Sequence, residues 1–151
     1  MQCQLNDNIP CLVSGAHWGL RSILMQVLKP FEVTFEQWEI LHTLFENGTM
    51  SQSDLAKCLD KEQASITRMI DKLEIRKWVT RQSNNSDRRI KEILLTPLGH
   101  KTQEEMLLIM APLQEEFESF FTADEKSQLL TLLTRVHTIT QAKLEQLQKG
   151  N

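Results

Sequence analysis

Five glycines, three cysteines and the lack of any long apolar run set the first limits on this 151-residue chain. The glycines form no phosphate-cradling loop, and there is no nucleophile elbow and no metal pair, so nothing points to catalysis or a cofactor. Cys3, Cys11 and Cys58 are odd in number and carry no metal spacing, which predicts free thiols in a reducing compartment. His17, His42, His100 and His137 make no close ligand pair with one another, with cysteine or with an acidic residue, so no metal site is expected. No segment is long and apolar enough to span a bilayer, and MQCQLNDNIP lacks a basic region followed by an apolar stretch. A cytoplasmic protein with no membrane partner is the expectation.

What is present is ordinary globular material, 40% hydrophobic and 25% charged, in one domain's worth of chain. Its charge is unevenly placed. Residues 61–101 hold ten Lys or Arg against five acids, whereas the rest holds seven against fifteen, for an overall net charge of -3. A basic patch on an acidic body directs a polyanion to one surface and away from the others.

The basic segment has its own periodicity. Ser51–Leu59 places Leu55, Ala56 and Leu59 on one side of a short helix. Asp60-Lys61-Glu62-Gln63 then resembles a capped start, which predicts a second helix from near Lys61. In that helix Ile66, Met69, Ile70 and Leu73 recur at the spacing of one buried face, leaving Gln63, Ser65, Thr67, Arg68 and Lys72 on the other. These are side chains that hydrogen-bond base edges or phosphates, although any solvated amphipathic helix shows the same alternation. After Arg76 the period becomes two, over Trp78–Gln82 and Ile90–Leu95, with a polar loop between them. Two strands and a loop predict a hairpin. Helix, turn, helix and hairpin together predict a mainly α fold with a small β-hairpin wing, the winged helix-turn-helix plan, in which the second helix enters the major groove of double-stranded DNA.

Three stretches, Ala64–Glu74 (ASITRMIDKLE), the wing triplet Asp87-Arg88-Arg89 and the closing Leu95-Thr96-Pro97-Leu98-Gly99, resemble the MarR family of bacterial transcription regulators. The resemblance covers nearly the whole chain, with one departure: Lys77 stands where the family usually has glycine between the recognition helix and the first wing strand. A non-glycine residue in a left-handed helix exit costs roughly 1 kcal/mol. The resemblance implies that Asp87 holds the Arg89 guanidinium, with Arg88 beside it, so that the wing presents Arg89 to the minor groove. On this reading Gln63 and Arg68, with Ser65 and Thr67, face bases or phosphates, and Lys72, Arg76 and Arg81 face phosphates.

Flanking helices complete the plan. Residues 8–28 open at Pro10, Thr34–Gln37 is a capping box before the helix of Trp38, Leu41, Leu44 and Phe45, and Asn47-Gly48 ends it. Thr96 with Pro97 starts another helix that Pro112 should kink or break, and Thr122–Glu125 caps the last one. Residues 1–151 thus read as a single MarR-like domain, with a DNA-binding lobe at 34–96 and dimerisation helices at 8–28 and 100–148. Leucines on more than one face of the terminal helix predict a second copy, and a two-fold dimer would set recognition helices about 34 Å apart.

The expected function is a homodimeric repressor that binds a near-palindromic promoter site and is released by a small-molecule or oxidant signal. The alternative is a related module that has exchanged DNA for a protein partner. Family members commonly bind small aromatic anions between dimer helices and reading lobe; Trp18, Arg21, Trp38 and His42 are the candidates here, with Arg21 countering a carboxylate. Cys11 lies near the place where some members carry a peroxide-sensing thiol. Those sensors rely on tyrosines and this chain has none, which favours a buried, inert Cys11; Cys58 and the tryptophans are expected to pack.

Overall fold

The computed structural model describes residues 8–83 and 91–149. They divide into two compact units, the break falling between Met110 and Ala111.

In the first unit, α1 (Ile9–Val27) begins with Pro10 in its first turn, where a missing N–H costs nothing. A single 3-10 turn, Lys29–Phe31, leads to α2 (Phe35–Asn47). The reciprocal cap expected at its start is present: Thr34 Oγ1 accepts the Gln37 N–H at 3.2 Å, and Gln37 Oε1 accepts the Thr34 N–H at 3.0 Å. There follow β1 (Met50–Ser51), α3 (Gln52–Cys58), α4 (Gln63–Ile75), β2 (Val79–Ser83), β3 (Lys91–Leu95), α5 (Pro97–Ser119) and α6 (Ala123–Lys149).

The hairpin is part of a three-stranded antiparallel sheet in the order β1-β3-β2, with Val79 opposite Leu95 and Met50 opposite Ile93. Alternation places Val79, Ile93 and Leu95 inward. They join Ile40, Leu41 and Leu44 of α2, Leu55 of α3, and Ile66, Ile70 and Leu73 of α4 in one core that Leu28 and Met106 close. Every buried apolar residue of the chain's described part lies between Leu28 and Met106.

Four local expectations need correction. Asp60 does not cap α4; it sits at φ 49°, two residues past the end of α3 and next to its C-cap Leu59. There the Asp60 and Lys61 amides reach back to the carbonyls of Lys57 and Ala56 in the two bonds of a Schellman turn. The helix therefore opens two residues later than expected, at Gln63, behind Glu62 with no side-chain cap. A strand the sequence did not announce, β1, adds an edge to the hairpin. Pro112 lies inside a continuous α5, on an exposed stretch where water can replace the lost bond to the Leu108 carbonyl. Cys11, Cys58 and Trp18 are exposed rather than packed. Cys58 lies about 200° around α3 from buried Ala56, and α1 contributes no buried residue.

The second unit comprises the end of α5 and α6. Thr122 and Glu125 cap α6 reciprocally: Thr122 N–H donates to Glu125 Oε2 at 2.8 Å, and Glu125 N–H to Thr122 Oγ1 at 3.3 Å. Lys126 bonds Glu118 at 2.6 Å across the turn. Phe120, Leu130, Leu132, Leu133 and Ile139 are all exposed.

Candidate nucleic-acid interface

The helix-turn-helix is α3, the Schellman turn through Asp60, and α4. Two polar contacts fix it. Gln52 Nε2 donates to Thr67 Oγ1 at 3.2 Å, tying the start of α3 to the middle of α4, while the Thr67 hydroxyl donates to the Gln63 carbonyl at 2.9 Å. Lys61 pairs with Glu39 of α2 at 3.0 Å, anchoring the turn to the core. With its hydroxyl used both ways, Thr67 has chiefly its methyl left for a base, the part that suits a thymine methyl.

On the outer face of α4, Gln63, Arg68 and Lys72 are exposed, and Ser65 and Thr67 half-exposed. Arg68 Nη2 bonds Ser65 Oγ at 3.3 Å. Among the described residues no carboxylate lies within ion-pair reach of Arg68 or Lys72. Neither charge is neutralised by a carboxylate among the described residues, and α4 begins without a side-chain cap.

The other two cations expected to touch phosphates are engaged within the chain. Arg76 stacks over the Trp78 ring at 4.0 Å and donates to the Glu32 carbonyl at 3.1 Å. Arg81, on β2, bonds both Asp71 and Glu74 of α4. Partial burial opposes the Arg81 charge, but the hydrogen bond to Asp71 and the attraction of Glu74 outweigh it and raise its pKa further. Sequence reasoning missed this pairing, although carboxylates three residues apart on a helix share a side and were a usable signal. Asp87, Arg88 and Arg89 lie outside the described residues.

The passage from α4 to the hairpin is fixed by a second Schellman turn. Lys77, at φ 59°, donates to the Glu74 carbonyl at 2.9 Å, and the Trp78 N–H to the Leu73 carbonyl at 3.1 Å. Lys77 thus accepts the left-handed conformation that glycine would adopt without strain. From the far side of the hairpin, Thr96 returns to this turn: its N–H donates to the Trp78 carbonyl at 3.0 Å and its hydroxyl to the Lys77 carbonyl at 2.6 Å. Thr96 Oγ1 also accepts the Gly99 N–H at 3.0 Å, capping α5. Gly99 is there for space, since a Cβ at that position would stand 1.9 Å from the Trp78 carbonyl oxygen. The L-T-x-x-G motif is therefore a close backbone contact between the start of α5 and the exit of the reading helix.

Trp18, Arg21, Trp38 and His42 meet in one run of ring contacts on α1 and α2. The Arg21 guanidinium lies 6.0 Å from the Trp18 ring and 4.9 Å from that of Phe35, Phe35 meets Trp38 at 5.7 Å, and Trp38 stacks on His42 at 5.2 Å. Phe35 is the link the sequence did not single out. Arg21 is paired with Glu36 at 2.6 Å; burial works to raise the Glu36 pKa, but its backbone hydrogen bond and Arg21 bring it below the ordinary value. Two buried atoms beside this run, Trp38 Nε1 and Gln103 Oε1, have no hydrogen-bond partner among the described residues. Among the described residues no three His, Cys, Asp or Glu side chains gather to hold a metal, and no helix is long and apolar enough to cross a membrane.

Residues 33–91 match the family model described as MarR family. Among solved structures, wild-type MarR from E. coli in its apo form is 27% identical with a TM-score of 0.73, over 85% of this chain and 96% of that one. A mutant MarR from E. coli complexed with operator DNA is 28% identical with a TM-score of 0.78, over 89% and 99%. The S. aureus MepR-DNA complex is 26% identical with a TM-score of 0.76, over 85% and 95%.

Proposed function

Because this chain belongs to the MarR family, we propose that it is a sequence-specific transcription regulator that grips a near-palindromic promoter site as a homodimer and represses by excluding polymerase. The observation that carries this reading is the outer face of α4. Gln63, Ser65 and Thr67 stand there beside Arg68 and Lys72, whose charges no carboxylate among the described residues neutralises. Gln63 and Arg68 suit adenine and guanine edges, Lys72 a phosphate. The wing residues Asp87, Arg88 and Arg89 belong to the same reading through the sequence alone. The exposed leucines of α1 and α6 suit a second copy, as a bivalent reader needs. Cytoplasmic residence goes with this role.

Selection of bound duplexes from a random pool, followed by affinity measured against salt, tests it. A two-fold symmetric consensus and a steep negative dependence of log K on log salt are expected. Failure to enrich any duplex would leave the protein-interaction alternative in its place.

A second reading concerns release. The ring run from Trp18 to His42, with the partnerless Trp38 Nε1 and Gln103 Oε1 beside it, favours a small aromatic carboxylate as effector, with Arg21 exchanging Glu36 for the ligand. Such a ligand weakens DNA binding only as far as it prefers the free dimer's geometry. Titration of a salicylate-like anion against tryptophan fluorescence tests it, Arg21→Ala abolishing the signal change. The exposed Cys11 thiol offers an oxidant route, and peroxide treatment of Cys11→Ser distinguishes the two.

A further inference from the structure

The basic residues of the reading lobe fall into two classes, and Arg81 is the clearest member of the second. It projects from β2, the first strand of the hairpin, and its two terminal nitrogens go to different carboxylates of α4, Nη2 to Asp71 and Nη1 to Glu74. The Arg81 side chain is only 23% exposed. Among the described residues no other ion pair links the hairpin strands to the reading helix; the other ties are the apolar packing of Val79, Ile93 and Leu95 with Ile66, Ile70 and Leu73, the backbone turn at Lys77 and the hydroxyl of Thr96. A planar guanidinium that forks between two carboxylates fixes direction as well as distance, which a single ammonium cannot do.

We propose that Arg81 is a positioning residue for DNA recognition: it sets the angle of the hairpin to α4 and makes no phosphate contact itself. The proposal rests on the DNA-reading assignment above. Two carboxylates outweigh one guanidinium, so the Asp71–Glu74–Arg81 cluster carries net negative charge beside the helix that approaches DNA. That is a poor phosphate site and costs affinity by simple electrostatics. The cluster has a use at this place if the fork holds hairpin and helix at the separation two adjacent grooves require.

The two roles predict opposite signs. If Arg81 bound phosphate, replacing its competitors in an Asp71→Asn/Glu74→Gln double variant would release it and tighten binding. If it positions the hairpin, the same variant binds more weakly although each chain has lost two negative charges. Operator affinity of the full-length protein is measured from 50 to 300 mM salt for wild type, Arg81→Ala, the double variant and Lys72→Ala, together with hydrogen exchange of the β2 amides without DNA. Arg81→Ala and the double variant are each expected to weaken binding about tenfold, the order of one lost base contact. The salt slope of Arg81→Ala stays at the wild-type value, whereas Lys72→Ala lowers it by about two for the dimer, one phosphate contact per chain. Exchange at Val79–Gln82 quickens in both Arg81-cluster variants. A slope lowered in Arg81→Ala, tighter binding by the double variant, or unchanged β2 exchange would each overturn the proposal. Wild-type protein that binds no duplex would sink the DNA reading instead, and the exchange data would still decide whether the fork holds the hairpin.

Discussion

The stretch from Leu28 to Met106 and the helices outside it solve the same problem differently. The inner stretch contains every buried apolar side chain among the described residues and closes a core around α4 and the sheet. The outer helices α1 and α6 are also rich in leucine and isoleucine but bury none of them in one chain; Leu20, Ile23, Leu130 and Leu132 all face outward. The inner stretch thus buries its apolar side chains within one chain, whereas the outer helices leave theirs exposed, as the proposed pairing with a second copy requires. A protein that must hold two reading helices at a fixed separation needs this division, because the interface that sets the separation has to be supplied by the second copy.

That contrast can be broken from either side. The largest effect is expected inside the lobe: Gly99→Ala forces a Cβ into the Trp78 carbonyl, 1.9 Å away, with backbone on both sides and nothing flexible to yield. A loss of about 3 kcal/mol or more follows from overpacking of this kind, read as a fall in thermal midpoint and in soluble yield. Next comes the outer region. Leu133→Glu on α6 leaves the lobe's core intact and is expected to give a folded monomer in sedimentation whose operator affinity falls on the order of 100-fold or more, because linked binding of two half-sites is lost. A variant that stays dimeric and binds normally would remove the assigned role of α6.

Smaller changes sharpen the picture. Lys77→Gly relieves a left-handed φ of 59° at the exit of α4 and should stabilise the chain by about 1 kcal/mol, measured by chemical denaturation. The smallest effect is at the start of α6. The Thr122 backbone hydrogen bond, then that of its side chain, hold the Glu125 carboxyl below its ordinary pKa. A depressed carboxylate contributes stability that is present above the unfolded pKa and lost as pH falls through the folded value. Helicity at the start of α6 should therefore be unchanged from neutrality down to the ordinary carboxylate range and fray below it, and Glu125→Gln should largely flatten this dependence in circular dichroism.

Much of the fold was legible because its signals are local. Thr34 with Gln37, Thr122 with Glu125, Thr96 with Pro97, and Pro10 at the start of α1 each announce an element within four residues, and each element begins there. The Asp60 reading failed for an instructive reason. The short side chain that caps a helix start also tolerates a left-handed helix end, and sequence does not say which neighbour will claim it. Strand β1 is two residues long and exists only because β3 lies beside it, so no periodicity could reveal it. At the candidate site the outer residues of α4 followed from helical spacing. The engagement of Arg76 with Glu32 and of Arg81 with Asp71 did not, because those partners lie 44 and 10 residues away. A basic residue's sign can be read from sequence; whether its charge is already neutralised depends on tertiary contacts.

The closeness of Gly99 to Trp78 has a mechanical consequence. Since α5 starts directly against the carbonyl that ends the reading helix's exit turn, with Thr96 gripping both Lys77 and Trp78, this joint has no slack. A shaft seated without play passes rotation on instead of absorbing it, so a twist of α5 about its own axis would arrive at the base of the hairpin as displacement.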